Sequence, residues 1–201
     1  TRFRAPYKPV ALGALAGRDV GSHYHVTRRT PMHNWHRDHG AEMIEAGIWL
    51  RPRVYKKLGE TLTDAYIREA TAVRNSVGIV DVTSLGKIDV QGPDAAEFLN
   101  RIYANPFLKV AIGKARYGVM LREDGYMFDD GTSWRLSQTQ FLMTTTTANA
   151  AGVLSEMERL LTLVWPDLKV HVSSVSDQWA GMAVAGPKSK ETLSKIITDV
   201  D

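Results

Sequence analysis

The spacing of apolar residues after position 78 predicts closely alternating strands and helices. Ile88 and Val90 alternate with polar residues, which indicates a half-buried strand over 86–91. Gly92-Pro93 ends this strand, and proline fits the first turn of a helix over 94–103. The apolar residues of that helix fall on one stripe: Ala95, Phe98, Leu99 and Ile102. The pattern therefore predicts a strand, a Gly-Pro turn and a helix in succession.

The same succession returns 94 residues later, at a second Gly-Pro pair. Residues 180–185 read as a strand, Gly186-Pro187 as the turn, and 188–197 as a helix with Leu193, Ile196 and Ile197 as its apolar positions. This spacing is too long for a solenoid repeat. We therefore expect two related strand–Gly-Pro–helix units in an α+β domain.

Four short strands are predicted between the two units. Strands 115–121 and 126–130 flank a turn at Asp124-Gly125, and strands 134–136 and 140–146 flank a second turn. Strands joined by short turns form an antiparallel sheet.

Helical periodicity marks two further segments. One covers 63–77, with Thr63 as its cap and an apolar face formed by Ala65, Tyr66, Ala70, Val73 and Val77. The other covers 149–163, with Val153, Met157, Leu160, Leu161 and Val164 facing the core. A short strand follows over 171–175.

The composition is that of a globular protein, with 44% hydrophobic residues in a chain of 201 and no cysteine. The absence of cysteine excludes disulfides and thiolate chemistry. No apolar run has the length of a membrane span, and the first residues lack the apolar stretch of a signal peptide. The expected location is the cytoplasm, without membrane association.

Positive charge is concentrated in the first 57 residues, which hold 11 Lys+Arg against 4 Asp+Glu. The charges are scattered among Pro, Gly and Ala rather than arranged along a helix face, which favours a protein surface over nucleic acid as the partner. We expect residues 1–30 to form an extended basic arm or linker, and residues 31–201 to form the domain.

Two clusters of chemically capable residues have competing interpretations. His33, His36 and His39 have a spacing that could bind a metal, but without a supporting carboxylate motif we favour structural histidines and no metal. Asp129-Asp130-Gly131 could act as a base or bind a heterocycle, although a structural role at a strand end is favoured. No glycine-rich nucleotide motif is present.

Five motifs, taken in chain order, resemble the aminomethyltransferase superfamily of the glycine-cleavage T-protein. They lie at 30–40, 74–86, 90–95, 116–121 and 124–131. The variants Leu121–Gly125 and Met143–Ala150 are more similar to the C-terminal folate-binding region of the sarcosine oxidase alpha subunit. The resemblance covers residues 5–201.

The resemblance implies a T-protein-like fold that binds tetrahydrofolate and captures a one-carbon unit as 5,10-methylenetetrahydrofolate. In sarcosine oxidase that unit comes from oxidised sarcosine, so flavins and NAD are expected only in other parts of the parent assembly. The implied partners are folate and the other sarcosine oxidase subunits or domains. The resemblance implies that the protein mainly orients the reactants and excludes water from them.

The resemblance also implies four folate-binding residues: Tyr55, Leu85, Asn105 and Tyr117. Asn105 stands where the family has an aspartate that contacts folate. An amide can hydrogen-bond but cannot act as a general base, and Asn105 could equally shape the turn before Pro106. No catalytic residue is assigned.

The family's later segment, whose glutamate grips the pterin, has no match before Asp201. We therefore expect a domain that is incomplete at its C-terminus and inactive alone. A T-protein-like aminomethyltransferase and a non-catalytic scaffold that docks subunits remain alternatives. The arm bears on this choice, because T-protein begins near Thr30 and needs no such upstream stretch.

Overall fold

The computed structural model of the chain describes residues 28–198 and arranges them in ten strands and five α-helices. The strands are β1 (Arg28–Arg29), β2 (Ala41–Ala46), β3 (Trp49–Tyr55), β4 (Gly78–Asp81), β5 (Gly86–Gln91), β6 (Ala115–Leu121), β7 (Met127–Ser137), β8 (Gln140–Thr145), β9 (His171–Ser174) and β10 (Met182–Ala185). The helices are α1 (His33–Asp38), α2 (Leu62–Asn75), α3 (Ala95–Ile102), α4 (Ala150–Arg159) and α5 (Ser189–Leu193).

The strands form three sheets. The largest has the order β6-β7-β8-β5-β9 and is antiparallel throughout. The others are β1-β3-β2 and the antiparallel pair β10-β4. The predicted α+β class with an antiparallel sheet is therefore confirmed.

The hydrophobic core lies between one face of the five-stranded sheet and helices α3 and α4. All four residues of the stripe predicted for α3 are buried there. They pack with sheet residues such as Ile88, Val90, Phe141 and Met143. Burying each large side chain contributes about 1.5–3 kcal/mol, so this packing fixes the sheet whose opposite face carries part of the candidate site.

The prediction of two strands over 126–136 is wrong, because both belong to the single strand β7. Gly131 lies inside β7, and a Cβ at that position would lie 1.9 Å from the carbonyl oxygen of Thr144. The glycine permits close approach of two strands and does not mark a turn. Asp129 and Asp130 therefore lie mid-strand rather than at a strand end.

Helix α2 begins earlier than predicted, and its cap is Thr61 rather than Thr63. The Thr61 hydroxyl accepts from the N–H of Asp64 at 3.2 Å, while the Asp64 carboxylate accepts from the N–H of Thr61 at 3.0 Å. This reciprocal pair is a capping box. Of the predicted apolar face only Ala65 is fully buried, because the polar residues Arg68 and Glu69 contact β3.

Two predicted helices are shorter than expected at their C-terminal ends. Helix α4 gives way to one π-helical turn over Leu160–Val164, which leaves Val164 exposed rather than in the core. Helix α5 ends at Leu193, and Ile196 and Ile197 are exposed. The apolar spacing identified both helices but not where their packing stops.

The two Gly-Pro turns share a backbone geometry, as the repeat predicted. Gly92 has φ 142° and Gly186 has φ 119°, values that favour glycine. The carbonyl of each accepts the N–H three residues later, at 3.1 Å from Ala95 and 3.0 Å from Ser189. Each turn thereby reverses a strand directly into a helix.

Most of the predicted basic arm, residues 1–27, lies outside the described residues. Its last part is described: Arg28 and Arg29 form β1, parallel to the start of β3. Within residues 28–198 no helix combines the length and apolar character needed to span a membrane.

Candidate functional site

Tyr117 projects from edge strand β6 on the face of the five-stranded sheet that is turned away from the core. Its ring is 54% exposed, and its hydroxyl donates to Oδ2 of Asp130 on β7 at 2.8 Å. This bond to a carboxylate raises the pKa of Tyr117, so the phenol stays protonated at neutral pH. Tyr117 therefore offers an anchored aromatic face to a ligand.

Asn105 is attached to the same strand by its side chain. After α3 the chain runs beside β6, where Ala104 N–H donates to the Val119 carbonyl and Val119 N–H donates to Asn105 Oδ1, both at 2.9 Å. The amide oxygen thus replaces a backbone acceptor at the sheet edge. The amide nitrogen has no hydrogen-bond partner among residues 28–198 and can donate to a ligand.

Leu85 lies in the loop between β4 and β5, which a buried lysine holds. Lys87 Nζ donates to the carbonyls of Thr83 at 2.6 Å and Leu85 at 3.0 Å. Burial lowers the pKa of Lys87, although Asp81 and Asp177 oppose this effect. The half-buried Leu85 is therefore held in place through its backbone.

Tyr55 ends β3 and belongs to a chain of three hydrogen-bonded side chains. Its hydroxyl lies 2.6 Å from His36 Nδ1, and His36 Nε2 lies 2.9 Å from Asp81 Oδ2. Asp81 Oδ1 accepts from the N–H of Thr83 at 2.9 Å. The chain therefore connects β3, α1 and β4 and reaches the loop that carries Leu85.

The side chains of Tyr55, His36 and Asp81 line a cavity of about 510 Å³. Its apolar walls are Met32, Trp35, Pro52, Ile79, Val80 and Met182. Tyr55, His36, Asp81, Glu69 and Arg53 supply its polar lining. A mostly apolar cavity with a few converging polar groups is the usual form of a small-molecule site.

The backbone of Tyr55 is fixed by α2. Tyr55 N–H donates to Glu69 Oε1 at 2.8 Å, and Arg68 Nη2 donates to the Tyr55 carbonyl at 2.7 Å. A helix thus satisfies groups that a neighbouring strand would otherwise pair. The backbone of Tyr55 is therefore held independently of its hydroxyl.

Protonation along the chain of three follows from its surroundings. Burial alone would raise the pKa of Asp81, but nearby hydroxyl groups and the bonds from Thr83 and His36 outweigh it and lower the pKa. Burial and the charges of Glu69 and Asp81 raise the pKa of Tyr55. Because Asp81 is a carboxylate, it accepts from Nε2 of His36, while Nδ1 of His36 faces the Tyr55 hydroxyl.

Comparison with known proteins gives one consistent result. Residues 32–201 match the family model of the GCVT N-terminal domain. The chain belongs to the GCVT family. It is similar to the sarcosine oxidase subunit alpha of Rhizobium meliloti, with 50% identity over 200 residues, which is 99% of this chain and 20% of that protein. The corresponding subunit of Corynebacterium sp. (strain P-1) is 50% identical over the whole chain and 21% of its own length.

Aminomethyltransferases of the GCVT family are less similar. That of Thermotoga neapolitana is 35% identical over 87% of this chain and 44% of its own length. The crystal structure of glycine cleavage system aminomethyltransferase T from Bartonella henselae matches with a TM-score of 0.72 and 23% identity over 84% of this chain and 43% of that one. It supports the fold. The chain thus spans about a fifth of its sarcosine oxidase relatives.

The four folate-binding residues predicted from the GCVT resemblance lie in two groups. Asn105 and Tyr117 share the edge of β6. Tyr55 and Leu85 lie near Asp81, which bonds to His36 and Thr83. Within residues 28–198 no hydrogen bond, ion pair or ring contact joins the groups directly.

One cross-strand row connects the two groups on the outer sheet face. Tyr117 pairs with Thr132, the Thr144 hydroxyl bonds to the backbone of Thr132, and Thr144 pairs with Lys87 beneath the Leu85 loop. At about 4.8 Å per strand, the row spans about 14 Å. Such a distance suits an elongated ligand.

Sequence reasoning did not assign His36 and Asp81 to a site. His36 was expected to be structural, and it is 4% exposed with both ring nitrogens engaged. His39 stacks on Trp35 with ring centroids 4.0 Å apart. In the part of the chain that the structure describes, no group of three or more His, Cys, Asp or Glu is placed to hold a metal ion. Both 30–40 and 74–86 were recognised as GCVT motifs, but their pairing was not.

Asp129 and Asp130 have different partners because they lie on opposite faces of β7. Asp129 is buried and accepts from Thr146 through both the N–H, at 3.1 Å, and the hydroxyl, at 2.5 Å. This matches the structural role that was favoured for the pair. Asp130 instead orients Tyr117, so it acts on the candidate site indirectly.

Proposed function

We propose that this chain is the tetrahydrofolate-binding part of a sarcosine-oxidase-like enzyme. It captures the one-carbon unit of oxidised sarcosine as 5,10-methylenetetrahydrofolate. Flavin and NAD are expected in other parts of the assembly, with the other subunits or domains as its protein partners. The cytoplasm is the expected location.

The observation that carries this proposal is the extent of the similarity. The sarcosine oxidase relatives are 50% identical to this chain over 99–100% of its length, which includes the basic segment before residue 31. The aminomethyltransferase matches are less identical and cover 87% of the chain or less. A segment shared with one group of relatives favours the assembly in which that group works.

The residues at the candidate site suit a reduced folate. The exposed ring of Tyr117 can stack on a flat heterocycle, and the amide nitrogen of Asn105 can donate to it. Tyr55 supplies a hydroxyl beside the cavity, and the half-buried Leu85 is proposed as an apolar contact from the neighbouring loop. None of these groups is a charged base in the folded protein, so their main contribution is to orient the reactants and exclude water.

The test uses the full-length gene product, produced together with the proteins encoded beside it. Supplied with sarcosine and tetrahydrofolate, it should form 5,10-methylenetetrahydrofolate, and without tetrahydrofolate it should release formaldehyde. Product formation only from a lipoyl-bound aminomethyl donor would instead identify a T-protein-like aminomethyltransferase. If the protein neither binds tetrahydrofolate nor forms the product from either donor, the remaining hypothesis is a non-catalytic scaffold that docks subunits.

A further inference from the structure

The hydrogen-bonded chain Asp81–His36–Tyr55 has a geometry that simple ligand contact does not require. We infer that His36 and Asp81 make the Tyr55 hydroxyl a proton-exchange group. It takes a proton from an amine nitrogen of the one-carbon acceptor and delivers it to the departing amine. The inference rests on the proposed function, because it assigns a chemical role within that same site.

Tyr55 is the least buried of the three side chains in this chain. The side chain of Asp81 is fully buried, and that of His36 is 5% exposed. Both nitrogens of His36 are occupied, one by each neighbour, at 2.6 and 2.9 Å. All three side chains contribute to the cavity lining, and Tyr55, the only partly buried one of the three, offers its hydroxyl to a ligand there.

The resting arrangement also has a definite direction. Asp81 already accepts from Thr83 N–H through one oxygen, and its other oxygen accepts from His36 Nε2. The inference requires that Nδ1 of His36 carry no proton, so that it accepts from the Tyr55 hydroxyl. This is the arrangement in which an acid, a histidine and a hydroxyl exchange protons in hydrolases, with tyrosine in place of serine.

The proton balance of one-carbon transfer needs such a group. The donor is an iminium ion, and two N–H protons of the acceptor must finally reach the nitrogen that leaves as an ammonium ion. Two carbon–nitrogen bonds form to the acceptor, and both bonds of the donor's C=N break. No oxidant, reductant or external proton is consumed.

Tyr55 can serve each of the two transfers in the same way. Its oxygen takes an acceptor proton while its own proton passes to His36 Nδ1, and Asp81 stabilises the imidazolium formed. The movement then reverses, and Tyr55 protonates the departing nitrogen. A ligand that fills the cavity would displace water from its apolar walls, so that bulk water competes less for the proton.

A purely structural role would have a different signature. The three side chains also tie α1 to β3 and β4, so their loss could simply loosen the fold. However, Glu69 and Arg68 hold the Tyr55 backbone independently of its hydroxyl. Tyr55→Phe should therefore keep the ring in place and remove only the proton path.

The experiment measures two quantities in the full-length gene product: tetrahydrofolate affinity, by calorimetry, and the single-turnover rate of methylenetetrahydrofolate formation. Tyr55→Phe and His36→Gln should each lower the rate about 100-fold or more, while folate affinity falls by no more than about fivefold, the effect of one lost hydrogen bond. The double variant should be no slower than the slower single variant, because both substitutions interrupt one path. The controls Tyr126→Phe, an exposed hairpin tyrosine, and His39→Gln, on the same helix as His36, should retain the wild-type rate.

The possible results distinguish failure of the proposed function from failure of the proton-exchange role alone. Wild-type protein that neither binds tetrahydrofolate nor forms the product overturns the proposed function and this inference with it. An active wild type whose two variants keep their rates, or lose rate multiplicatively in the double variant, overturns the inference alone. Should His36→Gln fail to fold, the solvent deuterium isotope effect decides. The inference requires a wild-type effect that Tyr55→Phe abolishes, and equal effects in both proteins overturn it.

Discussion

At the scale of single residues, Asn105 divides two tasks between its amide atoms. Its oxygen closes the backbone network at the edge of β6, and its nitrogen is left for a ligand. The sequence left folate contact and shaping of the turn before Pro106 as equal alternatives, and the bond from Val119 is a structural role that neither of them named. A variant that removes the amide must therefore be compared with one that loses only the structural bond.

Asn105→Ala should reduce methylenetetrahydrofolate formation and leave amine oxidation largely intact. Losing one amide hydrogen bond to folate costs about 1 kcal/mol, which is about fivefold in affinity. Asn100→Ala is the matched control, because Asn100 Oδ1 likewise accepts a backbone N–H, that of Phe107, at 2.9 Å. Both variants should lose similar stability, and only Asn105→Ala should lower product yield relative to amine-dependent peroxide. An equal fall in both activities would remove Asn105 from the site.

The lowered pKa of Asp81 predicts a stability difference confined to one pH range. A carboxyl whose pKa is lower in the folded than in the unfolded protein stabilises the fold above its unfolded value, about 3.9. That contribution is lost as the pH falls through the folded pKa. Urea unfolding from about pH 7 to about pH 3 should show wild type more stable than Asp81→Asn, with a gap that narrows below about pH 4. A difference in unfolding free energy between the two proteins that stays constant to the lowest pH would contradict this prediction.

Residue pairs distant in sequence were the least predictable part of the site. The order of the motifs supplied Tyr55 and Tyr117 as candidates, but nothing local to His36 indicates Asp81, 45 residues later. Three evenly spaced histidines drew attention to a metal instead. The partners of His36, a tyrosine and an aspartate, depend on how α1 packs against β3 and β4, and His39 stacks on the indole ring of Trp35.

At the scale of elements, the Gly-Pro turn before α3 requires glycine, and the structure shows the reason. A Cβ on Gly92 would lie 2.0 Å from the carbonyl oxygen of Lys169. Glycine is thus required there by its neighbours as well as by its own φ angle. The turn sets where α3 enters the core.

Gly92→Ala should therefore destabilise the protein more than Gly125→Ala. Gly125 also has a positive φ, 82°, but a Cβ there meets nothing within 4 Å. Backbone strain alone costs about 1–2 kcal/mol, and the additional overlap at Gly92 about 1–3 kcal/mol more. Chemical denaturation of the two variants measures the difference, and equal losses would show that the Lys169 contact relaxes freely.

Local patterns predicted an element well when its own residues determine it. The α3 stripe and the hairpin at Asp124-Gly125 depend on spacing and turn chemistry alone, and both are confirmed. Gly131 was misread because its reason is tertiary, namely the close approach of Thr144. The cap of α2 was displaced because Thr61 and Thr63 are equally suitable in composition and only the position of Asp64 decides between them.

At the scale of the whole molecule, the outer face of the five-stranded sheet is only partly covered by residues 28–198. Tyr117 is largely exposed, and Trp134 and Leu136 on the same face are exposed as well. A folate held here would touch protein on one side. Affinity should therefore depend on what the longer relatives provide beyond the matched fifth of their length.

The 201-residue chain by itself should bind tetrahydrofolate weakly or undetectably. A hydrogen bond to a charged group contributes about 1.5–3 kcal/mol, so one such contact supplied from elsewhere changes affinity about 10- to 100-fold. Calorimetry should find the isolated chain weaker than the full-length gene product by at least that factor. Micromolar affinity in the isolated chain would mean that residues 1–201 already form a sufficient site.

The contacts of Arg68 and Glu69 with Tyr55 also bear on aggregation, because they lie at the edge of a strand. Among the residues that the structure describes, strand β1 pairs with the first two residues of β3, and further along the strand α2 side chains take the backbone groups of Tyr55 that a neighbouring strand would pair. An open strand edge is a template on which other chains can aggregate. By occupying that edge with one guanidinium and one carboxylate, α2 places charge where a second copy would have to add its own strand. The two residues that position Tyr55 therefore also help to keep copies of the chain apart.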